Sequence, residues 1–208
     1  MNKRPFSFRS IPGWAYTVAL VGVLYLTGLH TEVLGQVQRL LLATGLKKAE
    51  VSAPVTAVSS EAESVASTSF KRAGTGFEMV RLDGTPVNFE SLHGKVVFLN
   101  VWATWCPPCV AEMPNIQSLY EKVGSEKIAF VMLSVDEGGL AKVQKYIQKK
   151  GYTFPVYLLA SAMPQEFESA SIPTTFIISP AGKIMHTQVG LAQYDTEEVR
   201  NYLLNLAK

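Results

Sequence analysis

The chain has 208 residues, 48% of them apolar and only 17% charged, with a formal net charge of +2. A chain this apolar is not wholly disordered, and a charged fraction below the ~25% usual for soluble domains points to one greasy segment. Residues 1–72 hold eight Lys or Arg against four Asp or Glu, whereas residues 73–208 hold eleven against thirteen; a mildly acidic main domain argues against nucleic acid as a partner, because phosphate binding needs a clustered positive surface.

Residues 1–10 carry Lys3, Arg4 and Arg9 and no acid, and residues 11–29 then run nineteen positions without a charge. At 1.5 Å per residue that run covers about 28 Å, close to the ~30 Å hydrocarbon core of a bilayer. Trp14 and Tyr16 lie near its cationic end, where amphipathic rings favour the headgroup layer. The pattern predicts a transmembrane anchor over 11–29, with 1–10 kept in the cytoplasm and the rest exported. A cleaved signal peptide is the competing reading, with Val33-Leu34-Gly35 as a poor cleavage site. Residues 30–48, with Val33, Val37, Leu40 and Leu41 at helical spacing, read as a juxtamembrane helix or stalk. Residues 49–72, rich in Ser, Ala, Val, Thr and Glu, read as a flexible linker. That leaves 73–208 for one folded domain.

Within it, Asp83-Gly84 between short extended pieces predicts a hairpin over 81–87. Residues 96–101 form a near-continuous apolar run, suited to a strand buried on both faces. A helix over 108–123 follows, with Val110, Met113, Ile116, Leu119, Tyr120 and Val123 on one face. A strand over 128–135 comes next, then a helix marked by Leu140, Val143 and Ile147 that ends at Gly151. Strands fit 154–159, 174–179 and 183–189, the last two joined by the turn Pro180-Ala181-Gly182. Asp195 is placed to cap a final helix, with Glu198 as its capping-box partner and Val199, Leu203 and Leu206 facing inward. This order predicts an α/β/α sandwich around a mixed central sheet.

The only cysteines are Cys106 and Cys109, which excludes a disulfide-stapled miniprotein and a Cys₄ zinc site. His30, His93 and His186 are scattered without ligand spacing. A purely structural disulfide is the other reading, but so small a loop restricts the unfolded chain little. Trp105-Cys106-Pro107-Pro108-Cys109 follows a buried strand and opens a helix, where terminal amides and the helix dipole favour a thiolate. Cys106, exposed at the cap, is then the nucleophile, and Cys109, one turn in and shielded, resolves the mixed disulfide. The residue before a proline avoids the α region, so Cys106 and Pro107 are expected outside the regular helix. Neither Pro107 nor Pro108 has an N–H to offer the sulfur, so the Cys109 amide is the first donor. A thiolate with so few donors favours the disulfide form and makes the pair a reductant.

Residues 94–109, Gly-Lys-Val-Val-Phe-Leu-Asn-Val-Trp-Ala-Thr-Trp-Cys-Pro-Pro-Cys, resemble the active-site strand and turn of TlpA/ResA-like thioredoxins. Glu112-Met113-Pro114, Ile172-Pro173-Thr174-Thr175-Phe176 and Gly182-Lys183 extend the resemblance over about 76–208. It implies a thioredoxin-like fold and a bacterial inner-membrane thiol–disulfide oxidoreductase whose catalytic domain faces the periplasm. It implies that Pro173 is a cis-proline facing the disulfide, that the Ile172 backbone pairs with substrate, and that Trp105 flanks the site and touches substrate. Trp102 reads as core, and Pro114 as a proline that kinks the helix. Glu112 would accept the Cys109 proton as a desolvated carboxylate. Asn100 stands where cytosolic thioredoxins carry a buried aspartate.

No bound cofactor is implied, because the cysteine pair is itself the redox centre. The implied partners are a protein disulfide substrate, including the Cys-x-x-Cys-His site of apocytochromes c, and a membrane electron donor. Three other readings stay open: an oxidase or isomerase of exported proteins, a peroxiredoxin-like peroxidase, and a Sco-like copper chaperone. The Pro-x-x-x-Thr-x-x-Cys setting of a peroxidatic cysteine is absent. The cysteine spacing is one residue short for Sco-type copper binding, with His186 as an unconvincing third ligand.

Overall fold

The computed structural model describes residues 12–26 and 73–208. The readings of 1–10, 30–48 and 49–72, and both ends of the 11–29 segment, lie outside the described residues. Helix α1 (Gly13–Leu26) has no charged residue. Its Trp14, Tyr16, Val18, Leu20, Val21 and Val23 are all exposed, and the Thr17 hydroxyl turns back onto the Trp14 carbonyl at 2.7 Å. No helix among the described residues is long and apolar enough to cross a membrane.

The hairpin forms where Asp83-Gly84 predicts it. Strands β1 (Glu78–Arg81) and β2 (Pro86–Asn88) pair antiparallel, and Gly84 takes a positive φ of 85° that a residue with a Cβ rarely adopts. All seven residues of β3 (Val96–Trp102) are buried, as its unbroken apolar run requires. It leads through the turn 103–106 into α2 (Pro107–Val123). Then come β4 (Ile128–Ser134), α3 (Gly139–Lys150), β5 (Val156–Leu159), β6 (Thr174–Ile178), β7 (Ile184–Val189) and α4 (Glu197–Leu206).

The strands make one mixed sheet in the order β2-β1-β5-β4-β3-β6-β7. β3, β4 and β5 run parallel, while β6 lies antiparallel to β3 and β7 antiparallel to β6. Right-handed crossovers stepping one way across a sheet put their helices on one side. Accordingly Met113 and Leu119 of α2 and Val143 and Ile147 of α3 join one cluster with Phe98, Phe130 and Ile177 of the sheet, and Val199 and Leu203 of α4, which follows β7, pack into the same cluster. Phe98 stacks on Phe130 with centroids 4.9 Å apart, and Tyr194 meets Phe98 edge-on at 5.2 Å.

The opposite face is covered by Ala73, Phe77, Phe89, Leu92 and Phe167, from loops and two short 3₁₀ turns at Phe89–Leu92 and Gln165–Phe167. The α/β class and the mixed sheet are as expected, and among the described residues the third layer consists of aromatic-bearing turns and carries no α-helix. The cap of α4 is also shifted. Thr196, not Asp195, accepts the Val199 N–H at 3.2 Å. Asp195 is engaged instead by Ser118 and Lys122 of α2, each at 2.6 Å, and by Arg200 of α4. Two cations and a hydroxyl outcompete a helix-end amide for that carboxylate.

Candidate active site

Because β3 alternates sides, Phe98, Asn100 and Trp102 all face α2. Beyond Trp102, which is completely buried, the chain turns with the Cys106 N–H on the Ala103 carbonyl at 3.2 Å. Thr104, in the middle of this turn, is clamped by Asp136 at the end of β4. One carboxylate oxygen accepts the Thr104 N–H at 2.7 Å and the other its hydroxyl at 2.6 Å. Ser134 and Lys142 complete the clamp at 3.0 and 2.8 Å. Burial pushes the Asp136 carboxyl up, but Lys142, Thr104 and Ser134 outweigh it and hold it below its ordinary value.

Cys106 is the N-cap of α2, extended at φ −93° and ψ 105°, as the following proline requires. Pro107, expected outside the helix, is its first residue, with Pro108 second. A first-turn proline has no preceding turn to clash with, and its φ is already helical. Cys106 and Cys109 form a disulfide. The Cys109 N–H, the first amide after the two prolines, donates to Cys106 Sγ at 3.3 Å. No acidic residue sits in the first turn to oppose a thiolate there.

On its other side, Cys106 Sγ lies 3.8 Å from the Ile172 carbonyl oxygen. The Ile172–Pro173 bond is cis, and the Pro173 carbonyl accepts the Gly190 N–H at 2.8 Å. Cys106 is the more accessible sulfur by little, 4% exposed against 0% for Cys109. The exposed nucleophile expected from the sequence is therefore nearly covered in the disulfide form, with Ile172 over it. Trp105 beside it is 54% exposed, a large ring left in solvent at the rim.

Glu112, one turn beyond Cys109 on α2, is fully buried. Asn100 Nδ2 donates to its Oε1 at 2.8 Å and the Ala192 N–H to its Oε2 at 3.3 Å. Burial pushes the carboxyl up to about 8, and those two donors offset only part of that shift. Asn100 faces Thr175 directly across the β3–β6 register, and its Nδ2 also donates to Thr175 Oγ1 at 2.9 Å. The Tyr194 hydroxyl donates to the same Thr175 oxygen at 2.7 Å. Burial and then the Glu112 charge hold the Tyr194 phenol well above its ordinary value. Asn115 pins this segment to α2 a second time, accepting the Tyr194 N–H at 2.9 Å.

The fold thus brings Cys106, Pro107, Pro108, Cys109, Ile172 and Pro173 together, with Glu112 beneath and Trp105 at the edge. It does not bring His186 there. That histidine pairs with Ile177, three residues further along β6 than the Thr174 next to Pro173, or about 10 Å down the strand. Asp136, Asn115 and Tyr194 belong to none of the patterns read from the sequence, and Thr175 enters there only as part of the Ile172–Phe176 stretch, without a role. The legible signal was Asn100, a lone amide in a buried apolar strand that must find a partner.

The Redoxin family profile matches residues 51–203. The thiol-disulfide oxidoreductase ResA of Bacillus thuringiensis (strain Al Hakam) is 32% identical over 128 residues, covering 61% of this chain and 72% of the relative. ResA of Bacillus subtilis (strain 168) is 32% identical over 133 residues, covering 64% and 72%. Among solved structures, a thiol:disulfide interchange protein of the thioredoxin family from Chlorobium tepidum TLS is 31% identical with a TM-score of 0.53, over 62% of this chain and 92% of that one. StoA from Bacillus subtilis is 25% identical with a TM-score of 0.51, over 64% and 96%.

Proposed function

The chain belongs to the redoxin family, among thiol–disulfide oxidoreductases of the ResA type, and from that membership we propose that it is a membrane-tethered, extracytoplasmic reductant of protein disulfides. The observation that carries the reading is Cys106 Sγ at the mouth of α2, between the Cys109 N–H and the Ile172 carbonyl.

In the reduced protein the Cys106 thiolate attacks a substrate disulfide, forming a mixed disulfide and expelling one substrate thiolate. Glu112 takes the proton of the Cys109 thiol. The Cys109 thiolate then attacks Cys106 Sγ, closes the Cys106–Cys109 disulfide and releases the second substrate thiolate. Two electrons leave the cysteine pair, and the substrate gains two thiols. Trp105, Ile172 and Pro173 supply the contact surface for the substrate chain, and a membrane electron donor returns the pair to the dithiol. The Cys-x-x-Cys-His segment of an apocytochrome c is a substrate of suitable chemistry.

The count of donors supports the reducing direction. Neither Pro107 nor Pro108 has an N–H to give, so the first α2 amide donating to Cys106 Sγ is that of Cys109; two donors fewer leave the thiolate less stabilised and favour the disulfide. A potential near about −270 mV, the thioredoxin end of the scale, supports a reductant, and one near about −120 mV overturns it in favour of an oxidase. Cys109→Ala in cells should trap substrates on Cys106. Apocytochromes among them support the haem-maturation branch, and a broad set of exported proteins replaces it with general oxidation or isomerisation. The tether rests on the nineteen uncharged residues 11–29 behind a basic start and on the exposed apolar surface of α1. Recovery of the full chain in the alkali-washed membrane fraction tests it.

A further inference from the structure

Asn100 has one polar atom that the site leaves unused. Its Nδ2 spends both protons, on Glu112 Oε1 and Thr175 Oγ1, while its Oδ1 is buried without a partner. A half-turn of the amide exchanges oxygen and nitrogen in space at little steric cost. After that turn Oδ1 faces both Glu112 Oε1 and Thr175 Oγ1 and needs two donors. Thr175 has a hydroxyl proton to give, and its oxygen still accepts from Tyr194. Glu112 supplies the other donor only when it is protonated.

The two amide orientations therefore match the two states of the acid. With the carboxylate, Nδ2 faces inward and Oδ1 is the orphan. With the carboxylic acid, Nδ2 inward would strand the acid proton and Oδ1 together. Turning the amide satisfies both, gives Thr175 an acceptor, and leaves Nδ2 as the one unpaired group. We propose that Asn100 is a positioning residue whose amide reverses when Glu112 gains a proton, so that the proton taken from Cys109 is held in an O–H···O bond backed by Thr175 and Tyr194. This rests on the reading of Glu112 as the proton acceptor. An ionised aspartate at position 100 could only accept, so it could not serve the carboxylate state.

The surroundings leave this device isolated. Glu112 is engaged by Asn100 from β3 and by the Ala192 N–H from the segment after β7, and Thr175 of β6 and Tyr194 stand behind Asn100. Tyr194 is the titratable group that feels the Glu112 charge, and no cation acts on Glu112 among the described residues. Nothing but the Glu112 proton itself is placed to drive the amide.

The test is NMR on the full-length, isotope-labelled, oxidised protein across pH 4 to 10, following the Glu112 carboxyl carbon and the Asn100 side-chain NH₂. At high pH the Asn100 NH₂ should show cross-relaxation to Thr175 and Glu112 side-chain protons. Those contacts should vanish on acidification with the midpoint of the Glu112 carbon. In Glu112→Gln the Asn100 contacts should be independent of pH. If the Glu112 carbon titrates while the Asn100 contacts persist at every pH, the reversal is overturned and the proton-acceptor reading stands. If the carbon does not titrate in that range, both fail.

Discussion

Glu112→Gln tests the buried acid through stability. The carboxyl titrates at its ordinary value of 4.5 in the unfolded chain and at about 8 in the folded one, because burial disfavours its charge. Below 4.5 both states are protonated and the group contributes nothing. Between 4.5 and 8 the folded state still holds a proton that the unfolded state has lost, so rising pH works against folding. Above 8 both are ionised and the folded state carries the full cost. The gap between the two values corresponds to about 5 kcal/mol, at about 1.4 kcal/mol per pH step within the window. Glutamine has nearly the same shape and no proton to lose. Urea unfolding of the oxidised proteins between pH 5 and 9 gives the difference in stability, variant minus wild type. It should climb with pH up to about 8 and then level off, whatever its value at pH 5. A flat difference across that range would show that the carboxyl does not keep its proton, and the assignment of Glu112 as acceptor would go with it.

Trp105→Ala removes a ring that is more than half in solvent, so stability should move by no more than about 0.5 kcal/mol. Turnover of protein disulfides should fall while reduction of a small disulfide such as oxidised glutathione is spared; equal losses for both would make the ring part of the cysteine chemistry, not a substrate contact. Asp136→Ala strands the Thr104 N–H and hydroxyl and unpairs Lys142, a loss of about 2–4 kcal/mol by denaturant titration. Hydrogen exchange at the Thr104 amide should rise with it, and an unchanged rate would mean the clamp does not hold the turn.

Periodicity carried much of the fold into the sequence. The strand 96–101, the apolar face of the helix after it and the Asp-Gly hairpin are each decided by neighbours in the chain, and each forms where expected. Cys106 and Cys109 were legible for the same reason, since strand, turn and helix cap are all local. What escaped depends on partners far away in sequence. Asp195 looks like a cap until Lys122 and Ser118 arrive from another helix. Cys106 looks exposed until the Ile172 carbonyl covers it from 66 residues away. The set Asn100, Thr175 and Tyr194 exists only because β6 lies beside β3, and nothing in the spacing of those residues announces that pairing.

The strap that runs from Gly190 to Asp195 follows both sulfurs and the acid in chain order. Until it docks, the acid lacks the Ala192 amide, and Asn115 lacks Tyr194. Without it the cysteine pair would keep its place on α2, while the Glu112 carboxyl would lose one of its two donors. The sulfurs thus sit in one local stretch of chain, while the surroundings of the acid are borrowed from another far along it.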